Sequence, residues 1–143
     1  MDLYQVKVET AAAVGSAISG LTCVPYAVDA VTPPMFMPVE IEIDPNQTFG
    51  GSDLVVITWR VLVSRADPKS AQKALDGYLA RTGATSIRAA LVAARGDPGE
   101  SALNGAADDL VVTQVSGYQA YDVGSAKYLG ADITVKVIGS EGA

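Results

Sequence analysis

Residues 53–64, DLVVITWRVLVS, alternate with a period of two for the whole of their length, a pattern that a helix cannot satisfy. Val55, Ile57, Trp59, Val61 and Val63 fall on one side; Leu54, Val56, Thr58, Arg60 and Leu62 fall on the other. The first side is wholly apolar and the second mixed, so both are expected to be at least partly covered. Upstream, residues 39–44 alternate as well, with Val39, Ile41 and Ile43 on one side and Glu40, Glu42 and Asp44 on the other. Between the two runs lies PNQTFGGS, residues 45–52, rich in the residues that turn a chain. The two runs are therefore expected to pair as an antiparallel hairpin, whose apolar side the rest of the chain must cover.

Three helices are available for that. Residues 2–19 carry Leu3, Val6, Val14, Ala17 and Ile18 at roughly helical spacing within an alanine-rich run, with Gly20 placed to end it. Asp67 and Pro68 are a good N-cap and first helical residue for 68–81, where Ala71, Ala74, Leu75, Tyr78 and Leu79 form one stripe. A third helix is expected from Thr85 or Ser86, on Ile87, Ala90, Leu91 and Ala94. Residues 21–28 are expected to be a short edge or broken strand, because Pro25 removes a ladder donor. Strands return at 109–116 and 127–138, after a Gly/Asp/Pro loop at 96–108. The order α-β-β-β-α-α-β-β defines a single α+β domain, a mixed or antiparallel sheet flanked by an N-terminal helix and two central ones.

Composition narrows the chemistry. The 143 residues contain no histidine, which removes His-based acid–base catalysis and the commonest metal ligand. Cys23, the one cysteine, fits a reducing compartment and cannot form an internal disulfide. The opening MDLYQVKVE lacks the layout of a signal peptide, and no apolar run is long enough to span a membrane. The net charge of −6 argues against a dedicated nucleic-acid binder. That charge is unevenly spread. Residues 1–59 carry seven acids against Lys7, residues 60–95 seven basic residues against two acids, and residues 96–143 seven acids against two basic residues. A subunit polarised in this way can stack head-to-tail with copies of itself.

Several groups are candidates for contact or chemistry. Glu40, Glu42 and Asp44 put three carboxylates on one strand face about 7 Å apart. They read as a solvated outer face, as a hard-cation site, or as an acidic wall past which nucleic acid slides without sticking. Phe49-Gly50-Gly51 lacks the lysine and following helix of a phosphate loop, and reads as a hairpin tip presenting one aromatic. Met35-Phe36-Met37 reads either as a partner-contact patch or as filler beneath the sheet. Arg60, Arg65, Lys69, Lys73, Arg81, Arg88 and Arg95 form either a solvated helix surface or a contact to an acidic neighbour; Lys69 and Lys73 share one side of their helix. A pocket between helices and sheet would have to draw on Arg60, Asp53 and the tyrosines.

Taken in order, the segments VPYAVDAVTPP (24–34), FGGSDLV (49–55), VLVSRADPKSAQKALDGYL (61–79), TSIRAALVAA (85–94) and VSGYQAYDVGSAKYLGADITVKV (115–137), behind an Ala-rich first helix, form a recognisable set. The chain resembles the tail terminator proteins of long-tailed phages, especially those of actinobacteria. The resemblance runs over nearly the whole chain and rests on the ordered set rather than on one motif. It implies a virion structural protein at the head-proximal end of the tail, assembled in the host cytoplasm, with an α+β fold, no enzymatic activity and no cofactor. Such proteins form a hexameric ring that caps the tail tube, ends its polymerisation and joins it to the head connector, while DNA passes through the opening. Under that resemblance Asn46, Gln47, Thr48, Phe49, Gly50 and Gly51, with Met35, Phe36 and Met37, are expected at the contact to the tube protein or the adjacent subunit. Glu40, Glu42 and Asp44 are expected to face the lumen, and Arg65, Lys69, Lys73 and Arg81 to meet the neighbouring subunit. A head–tail connector protein of the neck is the neighbouring alternative, and a small ligand-binding or catalytic α+β domain the remote one.

Overall fold

The computed structural model describes residues 2–28, 30–44, 52–96 and 100–140. The elements are α1 (Leu3–Ala17), β1 (Thr22–Cys23), β2 (Met35–Asp44), β3 (Ser52–Ser64), α2 (Pro68–Leu79), α3 (Ile87–Ala94), β4 (Asp109–Val123) and β5 (Ala126–Ser140), with a short 3-10 turn at Leu103–Gly105. The five strands form one sheet in the order β1-β2-β3-β5-β4. β1 runs parallel to β2, and every other pairing is antiparallel, so the fold is α+β with a mixed sheet in the expected element order.

The period-two run sets the architecture. Val55, Ile57, Trp59, Val61 and Val63 stand opposite Val137, Val135, Ile133, Ala131 and Leu129 of β5 and form the buried face. The three helices cover that face with Val6 and Val14 of α1, Ala71, Leu75 and Tyr78 of α2, and Ile87, Ala90 and Leu91 of α3. Phe36 joins them from β2, stacked on Trp59 with ring centroids 4.7 Å apart and planes within 6°.

On the other face, Met35, Met37 and Leu62 form a second, smaller cluster with Val24, Val28, Val31, Val39, Tyr121 and Tyr128. Val24, Val28 and Val31 lie over one end of this face, which explains why the expected strand at 21–28 shrinks to two residues. Past Cys23 the chain follows Pro25 off the ladder and becomes a cover. Toward Asp44 the same face carries no such cover from the described residues.

Two other differences from the sequence reading have local causes. A bulge between Pro38 and Glu40 takes Val39 out of the simple alternation and packs it against the methionines. β4 runs on to Val123 because two irregularities interrupt its register without ending the pairing: Val112/Gln114 skips Thr113, and Ser116/Gln119 absorbs Gly117 at a φ of 66°.

The helix caps follow the sequence. The Asp67 carboxylate accepts from Lys69 N at 3.2 Å, and Ser86 Oγ accepts from Ala89 N at 3.0 Å. The Ser86 hydroxyl also donates to the Ala80 carbonyl, tying the end of α2 to the start of α3 in a buried position. Ser86→Ala is expected to lower stability by about 1–2 kcal/mol, because a cap and a half-buried carbonyl lose their partner together. Chemical denaturation checks this, and an unchanged midpoint would show the α2–α3 junction to be held by packing alone.

Candidate functional site

β1 covers β2 only as far as Phe36, so the half of β2 ending at Asp44 is a sheet edge. There Glu40, Glu42 and Asp44 stand opposite Thr58, Val56 and Leu54, on the face away from the helices. The carboxylates are exposed, with Val56 and Leu54 half-buried beside them. Glu42, Ile43, Asp44, Leu54 and Val56 line a shallow depression. On the helix side of the same strand Ile41 and Ile43 are 37% and 53% exposed. The expected contact residues Asn46, Gln47, Thr48, Phe49, Gly50 and Gly51 lie outside the described residues.

Met35, Phe36 and Met37 belong elsewhere. They are 4%, 0% and 4% exposed, so the contact-patch reading of this triplet is corrected to core: Phe36 fills the main core and the methionines the smaller one. A central strand buried on both faces reads as an unbroken apolar run, and an exposed patch reads the same way.

The basic residues divide. The Arg60 guanidinium is bidentate to Asp132, Nε–Oδ1 2.8 Å and Nη2–Oδ2 3.2 Å, and lies 3.9 Å from the centre of the Tyr121 ring. The hydrogen bond to Asp132 raises its pKa further, against the pull of partial burial. Arg95 makes the same kind of fork to Asp109, whose carboxyl is held below its usual range chiefly by that hydrogen bond. Arg65, Lys69, Lys73 and Arg81 are exposed and have no ion-pair partner among the described residues. α2, which carries Lys69 and Lys73, packs on β3 and β5 and is tied to β4 by Tyr118 Oη donating to Asp76 Oδ1 at 2.9 Å. α1, by contrast, packs on β1 and β2. The acidic edge and the basic helix are therefore on different sides of the subunit.

The opposite edge of the sheet is β4, which the sequence reading did not single out. From Leu110 to Tyr121 it carries no charged residue, and Val111, Val115 and Tyr118 are 43%, 38% and 45% exposed. Native edge strands are usually short, charged or covered. The missing charge was the readable signal.

The polar groups offered for a pocket do not converge. Asp53 lies near the start of β3 with Arg60 seven residues on, while Tyr118 is bonded to α2 and Tyr121 donates to the Gly117 carbonyl at 2.6 Å. A broad groove between α1 and the end of α3 has Glu9 and Glu100 as its charged groups, and the Glu9 carboxylate already accepts from Gln5 and Asn104. Burial pushes the Cys23 thiol up to about 12, which keeps it protonated at neutral pH. Among the described residues no group of three or more His, Cys, Asp or Glu is placed to hold a metal ion, and no helix is long and apolar enough to cross a membrane. The chain matches no family model, and no curated protein matches it either.

Proposed function

We propose that this chain is a virion structural subunit that closes into a ring at the head-proximal end of a phage tail. There it caps the tail tube, ends tube growth and presents the surface that the head connector joins. The ring is six-fold, DNA passes through it without specific binding, and the protein performs no catalysis.

One observation carries this reading: the subunit turns two unlike surfaces to different sides, the acidic half of β2 at one edge of the sheet and, toward the other edge, α2 with Lys69 and Lys73 exposed, tied to a β4 that carries no charged residue from Leu110 to Tyr121. Exposed aliphatic groups flank each edge. A ring needs two different surfaces on one subunit, placed so that one copy's first surface meets the next copy's second. The polarised charge and the ordered resemblance to tail terminators support the same reading.

The test is particle mass over a concentration series, with negative-stain imaging of the same sample. Six copies of the 14.7 kDa chain give roughly 88 kDa, expected as rings with a central opening. A chain that stays monomeric throughout, and that leaves phage tail tubes free to elongate, would overturn the reading.

A further inference from the structure

The depression on the β2–β3 arm has an aliphatic floor, Leu54 and Val56, and a carboxylate rim at Glu42 and Asp44, with Glu40 two residues back on the same face. Such a surface suits a long aliphatic side chain with a cationic head, the stem lying along the floor and the ammonium at the rim. The chain itself carries a matching pair. Lys69 and Lys73 are exposed on α2, without ion-pair partners among the described residues. They are one helical turn apart, about 6 Å along the axis. Glu40 and Glu42 are about 7 Å apart along their strand.

The two pairs cannot meet within one molecule. The carboxylates point away from the helical layer at the β2 edge, and the lysines lie on a helix of that layer tied to the β4 side. Two copies can bring them together, and because the two surfaces differ, the contact repeats from copy to copy. We infer that the acidic arm of one copy seats on α2 of a second copy, with Lys69 and Lys73 lying over Leu54 and Val56 and their ammonium groups at Glu42 and Glu40. This rests on the ring reading and names its subunit contact. It assigns Glu40 and Glu42 to the junction between copies rather than to the lumen wall.

Charge reversal tests it. The proteins compared are the natural chain, E40K/E42K, K69E/K73E, and an equimolar mixture of the two variants, with far-UV circular dichroism as the folding control. Association constants come from sedimentation velocity. The natural chain is expected to associate, more weakly as ionic strength rises from about 0.05 to about 0.5 M. Each variant alone has two like-charged surfaces and is expected to associate at least about tenfold more weakly, a loss of about 1.4 kcal/mol. The mixture pairs reversed arm with reversed helix in alternation and is expected to recover most of that loss. Rescue by mixing does not follow from damage to the fold, so it separates a contact from a structural role. If the natural chain associates and the folded variants associate equally well, this contact is overturned while the ring survives. If the natural chain is monomeric at every concentration, the contact is overturned, and the ring reading then stands or falls on whether the chain stops phage tail tubes from elongating.

Discussion

Replacing Phe36 by alanine is expected to lower stability by about 3–5 kcal/mol, a large share of the roughly 5–15 kcal/mol typical of a domain. Phe36 is fully buried and lies flat against Trp59, itself fully buried and the largest side chain in the core. Truncation removes the transfer energy of the ring and leaves a cavity beside a second ring whose Nε1 has no hydrogen-bond partner among the described residues. The main chain there is held by β1 on one side and β3 on the other, which limits how far the site can collapse. Urea unfolding should show a lower midpoint at an unchanged slope. A contact-patch role for residues 35–37 predicts the reverse, with the midpoint unmoved and association impaired. A shift below about 1 kcal/mol would mean that the stacked pair is not the keystone of this core.

That triplet marks where sequence reasoning stops. The hairpin was legible because alternation over 53–64 admits one backbone, and the α2 boundary was legible because Asp67-Pro68 states a cap and a first turn in adjacent letters. Met35-Phe36-Met37 carries no period. The structure sends Phe36 to one side of the sheet and both methionines to the other, so each is buried by a different set of neighbours. The methionines' cover comes from Val24, Val28 and Val31 on a segment with no repeating pattern of its own, and no local rule announces that a loop will fold back over a sheet.

The candidate contact surfaces were half legible. Which residues are charged, and which of them share a strand or helix face, follows from spacing. That Arg60 would be taken by Asp132 and Arg95 by Asp109, leaving Arg65, Lys69, Lys73 and Arg81 outward, depends on strand register and on the path of the chain after α3. The same register puts Leu54 and Val56 beside the acidic row and turns a solvated face into a lined depression.

Gly130→Ala is expected to cost about 1–3 kcal/mol or somewhat more, for a reason that lies in contact distances rather than backbone angles. Gly130 sits in β5 opposite Leu62, and a Cβ there would stand 2.6 Å from the Val61 carbonyl oxygen, 2.7 Å from Leu62 Cδ2 and 3.1 Å from Tyr121 Cδ2. The two side chains can swing. The Val61 oxygen moves only if β3 moves, and β3 carries the buried row from Val55 to Val63. Gly20 supplies the contrast, with a φ of 87° and nothing within 4 Å of the place a methyl group would take, so Gly20→Ala carries conformational strain alone, about 1–2 kcal/mol. Leu62→Ala added to Gly130→Ala relieves one clash and leaves the carbonyl, so the double variant should remain less stable than Leu62→Ala by most of the original difference. A thermodynamic cycle in urea measures this. Full rescue by Leu62→Ala would assign the constraint to the side-chain cluster under Tyr121. No rescue would assign it to the spacing of β3 and β5, the pair of strands on which both faces of the sheet are built.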